Sequence, residues 1–236
     1  MEVFKYDIEA AVEIIKKTNA VISAWLGINK AARLTCVKPA GTTSLTLGTS
    51  SGIHAWHDKF YIRRIRVGKN EPIYTYLSLY HPELVKDEVF RPHDTAVIEV
   101  PQRSPIGAVT RDESALDLLE RVKIISERWV KNGHISSNNS HNVSATITIK
   151  DDEWEEVGRW MWQNRDVYNG LAVLPYSGHT YVQAPFETID KEKYDTLIKE
   201  IQSIDLTKIV EIDDSTNLRG ELACAGNICG VVKIIS

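Results

Sequence analysis

Thr35-Cys36-Val37-Lys38-Pro39-Ala40-Gly41-Thr42-Thr43-Ser44-Leu45 is an apolar run that stops at a proline, turns at a glycine and leads into a helix start. Pro39 fixes its own φ, and Gly41 lets a ligand come close to the backbone. Thr42, Thr43 and Ser44 set three hydroxyls beside the N–H groups that the first turn of a helix leaves without intrahelical acceptors. With the positive end of the helix dipole, those groups make a seat for phosphate. The same spacing also describes an ordinary Pro-Gly turn followed by a cap, since this is not a Walker sequence. On the residues alone both readings stand.

Around this stretch the chain alternates helices and strands. Upstream, Asp7 caps a helix carrying Ile8, Ala11, Val12 and Ile15 that stops near Gly27. Downstream, residues 45–47 read as a short helix and 48–52 as a small-residue turn. Residues 60–67 read as a strand, with Arg63, Arg64 and Arg66 on accessible positions between Ile62, Ile65 and Val67. Residues 72–80 read as a helix with Pro72 in its first turn, and 81–93 as irregular. A strand over 95–100 is expected to end at Pro101. The longest helix is expected from Asp112 to Asn132, its apolar face formed by Ala115, Leu118, Leu119, Val122, Ile125 and Trp129. Residues 143–149 alternate as a strand. Asp151 and Asp152 open a helix whose Trp154 and Trp160 read as core, residues 171–174 as a buried strand, and 190–203 as a last helix. Such alternation predicts an α/β fold with parallel crossovers. No composition break sets a boundary before the polar run Asp213-Asp214-Ser215-Thr216-Asn217, so residues 1–212 read as one body and 213–236 as linker and tail.

The 236 residues suffice for a substantial core, and a net charge of −4 gives no reason to expect nucleic-acid binding. No run approaches the ~18 apolar residues of a membrane span. The N-terminus lacks the regions of a signal peptide, so the expected location is cytoplasmic. Three cysteines in that compartment point to redox or packing roles. Cys36 reads as a buried residue beside the loop. Cys224 and Cys229, separated by four residues that include Gly226, are either a dithiol on a mobile tail that reduces a disulfide elsewhere or two small residues of a last strand. No metal site is expected: the cysteine pair lacks a second ligand pair, and His54 and His57 sit in a turn where histidines are usually hydrogen-bonded. Glu99 and Glu187 are the best acid/base candidates, both weak.

Val37-Lys38-Pro39-Ala40-Gly41-Thr42-Thr43-Ser44 and Ser50-Ser51-Gly52-Ile53-His54 resemble the C-terminal part of adenosylcobalamin-dependent (class II) ribonucleotide reductases. The resemblance continues through Tyr61-Ile62-Arg63-Arg64, through residues 139–144 and 174–186, and into the Cys224…Cys229 pair. It implies the later part of that family's α/β barrel, with a flexible C-terminal tail. It assigns the substrate's phosphates to Pro39, Ala40, Gly41, Thr42, Thr43 and Ser44. Cys224 and Cys229 become the redox shuttle that re-reduces the active-site disulfide, and a thioredoxin-like reductant resupplies them.

The family's thiyl cysteine, its neighbouring glutamate and asparagine, and the two oxidisable cysteines have no counterpart in these 236 residues. The resemblance therefore implies a ribonucleotide substrate, adenosylcobalamin in the assembled enzyme, and an obligate complementary N-terminal reductase chain, from a split gene or a truncated piece. Met1 followed by a capped helix favours the split gene. Two other readings are a fragment of a class I-type large subunit and a non-catalytic nucleotide-phosphate-binding module. The first would expect adjacent tyrosines, where this chain has Tyr74-Thr75-Tyr76.

Overall fold

The computed structural model describes residues 7–135, 139–176, 182–202 and 204–209. In chain order the elements are α1 (Ile8–Leu26), α2 (Gly41–Thr46), β1 (Phe60–Gly68), α3 (Pro72–Tyr80), β2 (Val85–Asp87) and β3 (Thr95–Arg103). They continue with α4 (Ala115–Ile125), β4 (Thr146–Ile149), α5 (Trp154–Gln163), β5 (Ala172–Pro175), β6 (Phe186–Thr188) and α6 (Lys191–Gln202). The chain divides into two compact units, each assembled from two separate stretches: 1–55 with 111–176, and 56–110 with 177–236.

In the first unit, α1 starts and stops where its caps require. The Asp7 carboxylate accepts from the Ala10 N–H at 3.0 Å, and Gly27 takes the left-handed conformation at φ 66°. Helix α4 begins at Ala115, later than the expected start at Asp112, because Ser114 and Asp117 form a capping box in front of it. After Ile125 it widens into a π turn, Ser126–Lys131, keeping Ser126 and Val130 buried; α1, at 19 residues, is therefore the longer helix. Leu118, Leu119 and Val122 of α4 share one core with Ile147 and Ile149 of β4 and Val157 and Trp160 of α5. Trp160 is core as expected, whereas Trp154 is exposed. The expected parallel crossover occurs here, as β4–α5–β5 with Thr146 opposite Ala172. All four residues of β5 are exposed, contrary to the buried strand that their apolar character suggested; among the described residues β5 pairs with β4 alone in a two-stranded sheet.

The second unit holds a four-stranded sheet, β2-β3-β1-β6, in which every pairing is antiparallel. The expectation of parallel crossovers throughout fails in this unit. Neither sheet of the described residues closes into a barrel, and the architecture is mixed α/β. The region read as irregular contains a 3₁₀ turn, Pro82–Leu84, and β2.

Pro101 does not end its strand. It lies opposite Ile62, whose neighbours along β1 show that the even-numbered backbone groups face β6: Arg64 N–H donates to Pro185 O at 2.8 Å, and Phe60 O accepts from Ile189 N–H at 3.1 Å. Pro101 thus turns its nitrogen away from β1, toward the side that β2 covers only opposite residues 96–98, and no ladder bond is lost. Tyr76 and Leu77 of α3 pack with Ile98, Val67 and Val100 of the sheet.

The arginines of β1 are not the accessible set the alternation suggested. Arg63 is buried, opposite Val100 and Phe186. Arg64 lies opposite Glu99 in the β1–β3 register. Its Nε donates to Glu99 at 2.8 Å, its Nη1 to Ala184 O at 3.0 Å, and its Nη2 to Glu187. Both acid/base candidates are therefore occupied as counter-ions. Burial pushes the Glu187 carboxyl up, but the hydrogen bond and charge of Arg64, with Lys193, outweigh it and leave the group below its usual range.

Candidate functional site

The loop at 38–44 belongs to the first unit and lies on its surface. Ala40 N–H donates to Lys38 O at 2.9 Å, closing a tight turn at Pro39, and α2 begins at Gly41, earlier than the sequence pattern suggested. The first N–H groups of α2 have no intrahelical acceptor. A side chain built on Gly41 would meet nothing within 4 Å, so its backbone is open to approach. Pro39, Gly41 and Thr43 are exposed, while Ala40 is partly covered. Ser44 is buried, and its hydroxyl donates to Gly41 O at 3.1 Å. It ties the first turn together and is turned away from solvent. The side chain of Thr42 lies outside those described.

Gly52 backs this loop directly, a bridge fixes the residue before it, and His54 holds the turn that carries Gly52. Gly52, at φ +60°, packs so closely that a Cβ there would stand 3.1 Å from Lys38 O and 3.5 Å from Pro39 Cα. Val37 bridges to Val143 in parallel, which continues the loop's base toward β4. His54 locks the intervening turn: its Nδ1 donates to Ser51 O at 2.7 Å and its Nε2 accepts from Thr146 N–H at 2.9 Å. That pairing requires the neutral imidazole with the proton on Nδ1.

Beneath the turn, the buried Arg121 donates to Ile53 O at 3.0 Å and forms a bidentate pair with Glu113, at 3.2 and 2.5 Å. Neither Glu113 nor Arg121 was singled out in the sequence. A charged residue on the otherwise apolar face of α4, four positions after Asp117, was the one signal present.

The stretch before the loop is held just as firmly. Thr35 Oγ1 donates to Trp129 O at 2.6 Å, and Trp129 Nε1 donates to Cys36 O at 3.1 Å. Thr35 is buried and Val37 packs against the core, so Cys36, between them in an extended segment, points outward. Cys36 is exposed, which corrects its reading as a buried residue. Cys224 and Cys229 lie outside the described residues.

Gly52→Ala would force a side chain into the left-handed region and against the Lys38 carbonyl. The expected cost is about 1–2 kcal/mol. Urea denaturation should show a lowered midpoint with an unchanged slope, and the amide resonances of residues 38–41 should move.

The chain was compared with known proteins. It matches no protein-family model. It is 28% identical over 229 residues to the adenosylcobalamin-dependent ribonucleoside-triphosphate reductase of Euglena gracilis, covering 94% of this chain and 30% of the relative. It is 32% identical over 190 residues to the enzyme of that name from Lactobacillus leichmannii, covering 79% of this chain and 24% of the relative. A solved class II, B12-dependent ribonucleotide reductase superposes with a TM-score of 0.70 at 25% identity, over 86% of this chain and 27% of that structure.

The chain is a homologue of part of the class II ribonucleotide reductases. It spans less than a third of the length of the curated reductases it matches. The stretches that carry the reductase resemblance acquire physical roles in the fold. Gly52 lies against residues 37–39, and His54 holds the turn on which Gly52 sits. In the second unit, Gln183, at φ 56°, uses its amide to donate to Asp87 O at 2.6 Å and to accept from Val89 N–H at 3.0 Å.

Proposed function

We propose that this chain is the C-terminal part of an adenosylcobalamin-dependent ribonucleotide reductase, seating the substrate's phosphates at residues 39–44 and carrying the dithiol that renews the active site. The observation that carries this reading is the pairing of sequence similarity over nearly the whole chain with an exposed loop whose backbone is braced by Gly52, His54 and Val143. Phosphate recognition then rests on backbone N–H groups that the fold holds in place before the ligand arrives.

The radical is generated and the ribose is reduced on residues that belong to a complementary N-terminal reductase chain, within the family's α/β barrel that the two parts would complete. A surface of this chain suits such a partner. On α1 only Ile8, Val12 and Ser23 are buried, while Ile14, Val21, Trp25 and Leu26 are exposed, Trp25 at 81%. A helix apolar on two faces is made to be covered on both. The roughly 70% of the Euglena enzyme that this chain does not match is the natural cover.

Adenosylcobalamin would supply the radical chemistry of the assembled enzyme. The cavity beside α1, of about 400 Å³, is lined by Ile14, Ile15, Ile22 and Ile28 together with the polar Thr18, Asn19, Ser23 and Asn29. The side-chain amide of Asn19 in that wall is already bonded to both backbone groups of Ala31. A space of that size is too small for the corrin macrocycle and its side-chain amides, and no cobalamin contact is assigned to this chain.

In the tail, one thiolate of the Cys224/Cys229 pair attacks the oxidised active-site disulfide and forms a mixed disulfide. The second thiolate then displaces it. Two electrons pass to the active site, the tail is left as a disulfide, and a thioredoxin-like dithiol reduces it again. Mixing the 236-residue chain with the complementary reductase segment, a ribonucleoside triphosphate, adenosylcobalamin and a dithiol should yield deoxyribonucleotide, with neither part active alone. Absence of product from the mixed, folded parts, or product from this chain alone, would overturn the proposal.

A further inference from the structure

The segment leading into the phosphate loop is flanked by basic side chains that have no acid partner among the described residues. Two bridges frame it: Arg33 pairs antiparallel with His134 at one end, and Val37 pairs parallel with Val143 at the other. These pairings bring His134 and His141 together, their rings edge to face with centroids 5.2 Å apart. His134 is buried, its Nε2 donates to Thr35 O at 3.2 Å, and its Nδ1 is buried without a hydrogen-bond partner. Arg33 and Lys38 are exposed, His141 is half-buried, and none of the three forms an ion pair among the described residues.

We infer that Arg33, Lys38 and His141 extend the loop at 39–44 into an anion clamp for the outer phosphates of a nucleotide's polyphosphate chain. This rests on the loop's reading as a phosphate seat. Lys38 immediately precedes that seat, and the Val37–Val143 bridge brings the 141–143 stretch alongside it. A tri- or diphosphate carries charge beyond the phosphate that the loop's N–H groups take up, and cations a few ångströms further along are where that charge is neutralised.

The electrostatics of His141 suit a position that takes up an anion. Burial holds its imidazole below the usual range, and His134, Arg33 and Lys38 push in the same direction. A polyanion bound among them reverses that repulsion, so binding carries a proton onto His141 and strengthens as the pH falls.

The test titrates the whole chain with inorganic orthophosphate and with tripolyphosphate, at pH 6 and pH 8 and low ionic strength, followed by NMR of backbone amides and histidine rings. Tripolyphosphate should bind about tenfold more tightly than orthophosphate, a preference that salt erodes. It should also raise the titration midpoint of His141. Arg33→Gln combined with His141→Gln should reduce the preference to about twofold, and Arg33→Lys should retain most of it. The clamp is overturned if that preference survives the double substitution, or if the His141 ring does not respond. Orthophosphate that moves the amides of 39–44 without any tripolyphosphate preference sinks the clamp alone. Orthophosphate that leaves those amides unmoved sinks the phosphate seat itself.

Discussion

Cys224→Ser should abolish repeated turnover of the assembled reductase while sparing its first. The active-site cysteines can be oxidised once without the tail, so a single equivalent of deoxyribonucleotide should form at the normal rate. Every later cycle needs a dithiol to resolve the mixed disulfide, and one thiol cannot do so. With a thioredoxin-like protein as the sole reductant, steady-state turnover should fall by about 10²-fold or more, the scale of loss when a covalent step is removed. A small dithiol that reaches the active site directly should restore most of it, which separates loss of the shuttle from misfolding. Cys229→Ser should behave alike, because the two thiols act as a unit. Undiminished turnover of either variant with the protein reductant would show that the pair is structural.

Arg121→Ala should be the most destabilising of the single substitutions considered. Arg121 is buried, paired in bidentate fashion with the nearly buried Glu113, and bonded to Ile53 O. Removing the guanidinium leaves a buried carboxylate without its counter-ion and frees the carbonyl next to Gly52. The expected loss is about 3–5 kcal/mol, since the charge left behind is costlier than the pair itself is favourable. That is a large share of the ~5–15 kcal/mol that holds a typical domain folded. Urea denaturation of the single variants and of Arg121→Ala/Glu113→Ala should show strong non-additivity, the double variant being no worse than Arg121→Ala. A loss below 1 kcal/mol would mean that the pair does not brace the turn. Orthophosphate affinity should fall with it, because Gly52 supports Lys38 and Pro39 from that turn.

Much of the chain's local structure was legible in order. Asp7 and Gly27 bounded α1, Pro72 opened α3, and the alternation over residues 60–67 marked β1, because each signal lies within a few residues of the element it governs. Where local signals misled, a distant contact had overruled them. Pro101 is compatible with β3 because its nitrogen faces a side that β2 leaves bare, and no residue near Pro101 encodes that. The apolar β5, which pairs with β4 alone among the described residues, is exposed, and its own residue types do not reveal that. The two compact units escaped notice because each is made of two separated stretches, and the chain crosses between them without a change in composition.

The loop at 35–45 shows the same division. Its sequence alone determined a turn at Pro39, a helix start nearby, and the reductase resemblance, since all three follow from residue types in a short order. Only the tertiary structure decided how the turn is held and what surrounds it. Cys36 faces outward because Thr35 and Val37 are drawn inward, and Ser44 spends its hydroxyl on Gly41. Gly52 must lack a side chain because Lys38 occupies that space, and His54 is neutral because Ser51 and Thr146 claim both its nitrogens. The Arg33 charge reaches the His141 imidazole although 108 positions separate them. Those facts depend on distances between residues far apart in the chain, and distance in space is what folding adds to order in sequence.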